Sequence, residues 1–454
     1  MISMSVSAAA AALDARLLGA DVEFSGVSTD TRCLERGQLF FALRGPNFDA
    51  HDKLNEAAAA GAVAAVVERA MPCALPQLVV ADTRHALGVL ARDWRLRFDV
   101  PVLAVTGSAG KTTVKEMLAA IMRTQGPVLA TRGNLNNDIG LPLTLFQLDS
   151  SHRSVVLEMG ANHVGDVALL AEIARPQIGV ITLCAPCHLE GFGSIEAVAR
   201  TKGELFAGLP AQGVAVVNNE DVQAPVWRNL AGSRRISSFG AGADFSADEI
   251  GVSGDGSTFM LRAPHGSVHI TLHHRGLHNV RNALAAAAAA SAAGVTLADI
   301  QRGLAEAGSV NGRLQYRAGI DGCRLIDDSY NANPASIAAA LEVLAAEPAP
   351  RWLVFGDMRE LGPEASDYHR AVGAQAASAG VLRMFTYGAL ARHAAERFNG
   401  IAVHGDDHPR LLDALREALA QNVTVPPTIL IKGSRAMALD QVANALAARG
   451  DVAC

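Results

Sequence analysis

Between residues 83 and 312, short apolar runs alternate with stretches whose apolar positions recur at helical spacing. The runs "PVLAVT", "SVVLEMG", "IGVITLC" and "GVAVVNN" are apolar at successive positions, as strands covered on both faces must be, and each adjoins a helical pattern. This alternation predicts an α/β unit with a largely parallel, doubly wound sheet. Residues 313–454 repeat it with "RWLVFGDM", "VLRMFTYG" and "PTILIKGS", which predicts a second, Rossmann-like doubly wound sheet. Residues 1–82 carry shorter runs and many turn formers, as in "GVSTDTRCLERGQLFFALRG", and read as a small, separate, mixed α/β unit. The opening "MISMSVSAAAAALDARLLGA" reads as an amphipathic helix. The alanine-rich stretch from Asn279 to Ala293 reads as a packed helix, because alanine is the strongest helix former.

A length of 454 residues agrees with three such units, since one core seldom serves so long a chain. Half the residues are hydrophobic, 19% are charged and the net charge is −6 without a long basic run, which gives no nucleic-acid footprint. No apolar stretch reaches membrane-spanning length, and the first residues lack the basic region of a signal peptide, so the expectation is a cytoplasmic protein with no membrane partner. Six scattered cysteines make no disulfide framework, in keeping with a reducing compartment.

Candidate chemistry gathers where the central runs end. Residues 105–113, "VTGSAGKTT", follow one apolar run and open a helical pattern. A strand, a glycine turn and a helix N-terminus aim backbone N–H groups at one point, and Gly107 and Gly110 let an anion approach. Lys111 would reach the outer phosphates of a nucleotide and Thr112 would offer its hydroxyl to magnesium. The general phosphate-loop pattern asks for glycine where Val105 stands, and a plain helix-capping turn is the alternative. Glu158 ends a neighbouring run on the same expected edge, and a carboxylate on a buried strand needs a partner such as a metal ion. "CAPCHLEGFGS" offers Cys184, Cys187 and His188 as a redox or zinc motif, yet no second pair completes a zinc shell. Lys202 has the ordinary reading of a solvated helix lysine.

Several motifs together carry a family resemblance that runs almost end to end. They are "STDTR" and "LFFALRG"; "TGSAGKTTVKEM", "NLNNDIGLPLT", "LEMGANHVGD", "HLEGFGS" and "KGEL"; then "GLHNVRNALAA", "GRLQ", "DDSYNANP", "GDMRELG" and "IKGSRAM". The chain resembles the Mur ligase superfamily, whose members join amino acids or peptides to muramyl nucleotide precursors. Its motifs are most similar to those of the branch that adds D-alanyl-D-alanine to UDP-N-acetylmuramoyl-tripeptide. The resemblance implies an ADP-forming ligase of peptidoglycan synthesis, tied to cell wall biogenesis, cell shape and cell division, working as a monomer. Another ligase of the superfamily and a nucleotide-hydrolysing switch or transport ATPase are the alternatives. The switch leaves Lys202, "DDSYNANP" and the third unit without a role.

In this family the turn is glycine, two residues, then GKT or GKS, so Val105 is no departure. The resemblance implies that Thr106, Gly107, Ser108, Ala109, Gly110, Lys111, Thr112 and Thr113 hold ATP. It implies that Thr112 and Glu158 bind one Mg2+ while His188 and Lys202 serve a second, with Lys202 converted by carbon dioxide into a carbamate. Asn279 and Asn282 match the adenine region, with helix-cap or buried-amide duty as their alternative. Arg313 and Asp328 match residues that approach phosphate and ribose on closure. Ser28, Thr29, Asp30, Thr31 and Arg32 form a polar cluster suited to the uridine diphosphate, and Asn47 lies in "NFDAH", where Ala50 replaces a glycine common in relatives. Tyr330, Asn333, Lys432 and Arg435 are candidate substrate contacts. The expected division is 1–82 for the UDP-muramyl substrate, 83–312 for ATP, and 313–454 closing over ATP and taking the dipeptide.

Overall fold

A computed structural model describes residues 1–253, 256–421 and 425–448. The central sheet has six parallel strands in the order Val128–Ala130, Ser154–Glu158, Val102–Thr106, Ile178–Ile181, Val214–Asn218 and Arg235–Phe239. Strand Val102–Thr106 is the first of these in the chain, and its successors are laid first on one side of it and then on the other. Its C-terminal edge is therefore the topological switch point, where ligands of such sheets collect. Register sets Val105 beside Glu158 and Thr106 beside Ile181, so the ends of three strands converge there.

Residues 16–79 supply a five-stranded mixed sheet, ordered Arg16–Leu18, Gln77–Val79, Ala64–Val67, Leu39–Phe41 and Val27–Ser28, with only the first pairing antiparallel. The expected N-terminal helix is shorter than its pattern suggested. Ile2 and Met4 alternate inward from strand Ser3–Ser5, and the helix covers only Val6–Leu13. Ser5 caps its start by accepting from the Ala8 N–H, and Asp14 ends it in the left-handed region (φ 48°). One apolar cluster runs from Ile2, Phe24 and Leu39 through Leu87 and Leu90 to Val102 and Val155, so the first and central sheets share a continuous core.

The third sheet runs Gln315–Ala318, Arg324–Asp328, Thr428–Lys432, Arg351–Gly356, Val381–Tyr387 and Ile401–Gly405. Only the first pairing is antiparallel, and register sets Asp328 directly beside Lys432. Its two faces are filled by separate clusters, around Leu353 and Phe355 on one side and Trp352 and Phe385 on the other. Among the described residues neither cluster includes a residue from the first two units. A three-stranded antiparallel sheet (Ser246–Ser253, Gly256–Ala263, Gly266–Leu272) was not foreseen within the central region. Its first strand, "SADEIGVS", is largely exposed and polar, so no buried run advertises it. No helix among the described residues is long and apolar enough to cross a membrane.

Helix Ile195–Ala207, which carries Lys202, is covered by helix Ala224–Ala231. Trp227 of the covering helix is fully buried and donates from Nε1 to the Ala199 carbonyl at 3.0 Å. Trp227→Ala is expected to destabilise the protein by about 3–5 kcal/mol, read as a lowered urea midpoint, because it empties a fully buried site and removes the hydrogen bond to the Ala199 carbonyl.

Candidate functional site

The turn after strand Val102–Thr106 is held in place by the strand beside it. Gly107 has φ 144°, and a Cβ there would lie 1.9 Å from Thr182 Oγ1, so only glycine fits. The Ser108 N–H donates to the Leu183 carbonyl (2.9 Å), Thr182 Oγ1 donates to the Ala109 carbonyl (2.5 Å), and Ser108 Oγ donates to the Ala185 carbonyl (3.0 Å). Helix Lys111–Arg123 begins after Gly110 with no side-chain cap among the described residues, which leaves its first N–H groups facing the turn. Thr106 sits below the turn, its hydroxyl donating to the Met159 carbonyl at 2.8 Å.

Charged side chains converge on this turn. Lys111 Nζ folds back to the Gly107 carbonyl (2.8 Å), and burial lowers its pKa while the nearby Glu158 charge opposes that shift. Glu158 is 3% exposed; its Oε1 accepts from Asn136 Nδ2 at 2.7 Å, whereas its Oε2 is buried without a hydrogen-bond partner. Such an orphaned carboxylate oxygen costs free energy unless something positive meets it. Lys202 is not the solvated lysine of the ordinary reading. It is 1% exposed with its ammonium 5.5 Å from the Phe192 ring, and burial, aided by the Lys111 charge, brings its pKa down to about 8. His188 lies close enough to feel both lysines; burial lowers its pKa, opposed by the Glu360 carboxylate that its Nδ1 contacts. Cys187 packs its sulfur against Ser108 Oγ (3.2 Å), and burial together with Asp221 pushes the Cys184 thiol up to about 12, far from a reactive thiolate.

The third unit reaches the same turn through polar groups. Arg313 donates from Nη2 to Thr112 Oγ1 (3.1 Å) and stacks 4.4 Å from the centre of the Tyr330 ring. Asn333 caps helix Pro334–Ala345 and also donates from Nδ2 to the Ser108 carbonyl at 3.0 Å. Between the units lies a cleft lined by Gly110, Thr113, His278, Asn279, Asn282 and Asp328 among others. Asn282 donates to Asn279 Oδ1 (3.0 Å), Asn279 donates to the Arg275 carbonyl (2.9 Å), and the Asn282 carbonyl oxygen packs on the bare Cα of Gly110. Lys432, read from sequence as a peptide contact, lies in this cleft as a buried partner of Asp328 (2.5 Å) and also donates to the Asn331 carbonyl (2.9 Å). Burial pushes the Asp328 carboxyl up and the Lys432 ammonium down, each opposed by the other's charge. Arg435 is exposed, 3.4 Å from Asp440 and 5.8 Å from the Tyr330 ring.

The cluster at Ser28–Arg32 is largely self-satisfied. Arg32 chelates Asp30 (Nη2 to Oδ2 2.6 Å, Nε to Oδ1 3.0 Å), which holds the Asp30 carboxyl down at about 2, and Thr31 bonds Glu56 at 2.5 Å. Ser28, Thr29 and Asp30 line a cleft with Leu135, Leu143 and Phe146 of the central unit. Asn47 is exposed at the tip of a hairpin and is not one of that cleft's walls.

Sequence reasoning did not single out Asn136, Thr182, His278 or Glu360. Asn136, His278 and Glu360 lie inside the motifs that carry the resemblance, while Thr182 follows the strand Ile178–Ile181, where only its backbone position signals it. Among the described residues no three His, Cys, Asp or Glu side chains group as a metal site. What stands by the turn is one carboxylate with a free oxygen and one threonine hydroxyl, which suits magnesium, a cation usually shared between one or two carboxylates and substrate phosphates.

Comparison with known proteins identifies the family. Residues 105–290 match the Mur ligase middle domain and residues 312–435 match the Mur ligase, glutamate ligase domain. Over 99% of its length the chain is 44% identical to the UDP-N-acetylmuramoyl-tripeptide--D-alanyl-D-alanine ligase of Escherichia coli, all of which is covered. The chain belongs to the Mur ligase family. The crystal structure of MurF from Acinetobacter baumannii superimposes with a TM-score of 0.94 at 36% identity, covering 98% of each chain. MurF ligase from Thermotoga maritima, solved in complex with ADP, gives 0.81 at 27% identity over 92% of this chain and 96% of that one. The two family domains meet at the cleft described above, since the first begins at Val105, just before the glycine turn, and the second begins at Gly312, beside Arg313.

Gly107→Ala should leave the fold intact yet weaken ATP binding at least about tenfold in calorimetric titration, because the turn must move to release the clash with Thr182. Binding within twofold of wild type would show that the turn does not hold phosphate.

Proposed function

We propose that this chain joins D-alanyl-D-alanine to UDP-N-acetylmuramoyl-tripeptide in peptidoglycan precursor synthesis, converting ATP to ADP. The observation that carries the reading is the full-length identity to the Escherichia coli ligase, with desolvated Lys111, Glu158 and Lys202 grouped at the switch point. Residues 1–82 take the UDP-muramyl end, 83–312 take ATP, and 313–454 close over ATP and receive the dipeptide. The tripeptide's terminal carboxylate oxygen attacks the γ-phosphorus, the bond to the bridging oxygen breaks, and ADP leaves behind an acyl phosphate. The dipeptide's amine then attacks the acyl carbon, loses a proton and expels inorganic phosphate.

The protein's part in the first step is placement and charge. Backbone N–H groups of the turn and the Lys111 ammonium meet the phosphates, and Arg313 arrives from the third unit to meet charge on the transferring group. Thr112 and Glu158 would hold one magnesium ion and His188 with modified Lys202 a second, and bound magnesium would neutralise phosphate charge. A lysine ammonium cannot ligate a cation. With its pKa brought to about 8, Lys202 offers a neutral amine whose nitrogen bonds to the carbon of carbon dioxide and sheds a proton, leaving a carbamate of negative charge. Asn279, Asn282 and Asp328 then serve adenine and ribose, while Tyr330, Asn333 and Arg435 border the incoming dipeptide.

Coupled ADP release, with product mass, is expected only when UDP-muramyl-tripeptide, ATP and D-alanyl-D-alanine are all present. ADP release independent of the dipeptide would favour a plain ATPase. Lys202→Ala is expected to lose nearly all ligation and to recover part of it with added short-chain carboxylates, and wild-type protein under labelled carbon dioxide should show a carbamate carbon in its NMR spectrum. Full activity of the variant would remove the carbamate from the mechanism.

A further inference from the structure

The contact between His188 and Glu360 joins two units across 172 positions of sequence. Both residues hold left-handed backbone, His188 at φ 50° and Glu360 at φ 65°, a region non-glycine residues seldom enter. Glu360 reaches Nδ1 of His188 with Oε2, and the Glu190 N–H donates to the Glu360 carbonyl at 3.4 Å, so side chain and backbone engage the same loop. The Glu360 side chain is half exposed, while Met358 and Leu361 on either side of it are buried in the core of the unit and anchor the turn. As an isolated surface pair the contact would contribute little to stability. Its geometry matches another use. A carboxylate that accepts from one ring nitrogen of a histidine fixes the tautomer, leaves the other nitrogen as a lone-pair donor, and raises its basicity toward a metal.

We infer that Glu360 is a positioning residue delivered by the third unit, which orients His188 for its cation only when that unit is closed. This rests on the reading that His188 serves the second cation. Closure and cation binding are thereby linked. An open third unit withdraws Glu360, and His188 loses the partner that sets its ring. Asn333 on Ser108 and Arg313 on Thr112 close at the same time, so the cation, the phosphate turn and the third unit form one assembly.

The test counts manganese, used as a paramagnetic probe for magnesium, by electron paramagnetic resonance on the full chain with a nonhydrolysable ATP analogue and UDP-muramyl-tripeptide. Glu360→Ala is expected to weaken the second manganese site about tenfold or more while the first is unchanged, and Glu360→Gln, which keeps an acceptor oxygen, to fall between. Thermal melting accompanies each variant, and if the alanine form does not fold the glutamine form carries the measurement. His188→Ala is the control. If it loses one site while both Glu360 variants titrate like wild type, the positioning role is overturned and the cation reading stands. If His188→Ala keeps two sites, the cation reading itself fails, and the role of Glu360 falls with it.

Discussion

Two lysines within electrostatic reach of each other, Lys202 buried and Lys111 partly buried, set the terms for this site before any ligand or modification is added. Burial and mutual repulsion both lower the pKa of Lys202, and burial lowers that of Lys111 against the pull of Glu158. Charge desolvated in this way is unfavourable until something answers it. Glu158, whose charge acts on Lys111, has one oxygen tied to Asn136 and the other without a partner among the described residues, so this carboxylate is not fully matched within the protein. A polyanion with its cations would complete the match. The folded chain therefore leaves charge at this edge incompletely matched, which is what the proposed binding of ATP with its cations would answer, and the central sheet keeps it in place, because Glu158 and the glycine turn are ends of adjacent hydrogen-bonded strands.

The third unit is bound by a different kind of force. Its apolar clusters are its own among the described residues, and what it offers the central unit at the site is Arg313, Asn333 and Glu360. Polar interfaces of this kind permit relative motion of domains, whereas the first and central sheets, joined by one apolar cluster, move together. The Asp328–Lys432 pair belongs to this logic. Neighbouring strands place the two side by side, and burial makes each depend on the other, so the third unit presents a preformed polar wall to the cleft.

Much of this was legible in the sequence because burial leaves periodic marks. Runs such as "PVLAVT" and "PTILIKGS" announce strands covered on both faces, and glycine followed by GKT announces a tight turn that opens a helix. Where one face stays wet the marks fade. "SADEIGVS" forms a strand that periodicity alone does not distinguish from a loop, and the N-terminal helix lost its outer turns to strands because Ile2 and Met4 obey a period of two. Single charges were hardest to read. Lys202 looks like any helix lysine until the fold buries it, and only the fold reveals that Lys432 pairs with Asp328 in the cleft. Glu360 is an exposed glutamate in a turn, and nothing local reveals that its partner lies 172 residues earlier.

The strength of the closing contacts decides how such an enzyme can turn over. A hydrogen bond of the kind made by Arg313 to Thr112 or Asn333 to Ser108 contributes a net of about 0.5–1.5 kcal/mol. Alone, a few of them would hold a unit only loosely; the largely buried Arg275–Glu347 pair, with Arg275 also stacked on Tyr316, adds to them, and moving an equilibrium from 1:99 to 99:1 needs about 5.5 kcal/mol of differential affinity. On the function proposed above, that difference would come from groups that meet ligand in the closed form alone, and Arg313 and Asp328, which line the cleft between the units, are the candidates. Because the same closure sets Glu360 on His188, phosphate charge, cation coordination and domain position become terms of a single equilibrium. Weak latches are then an advantage: release of product charge removes the bias, and the third unit opens without breaking an apolar core.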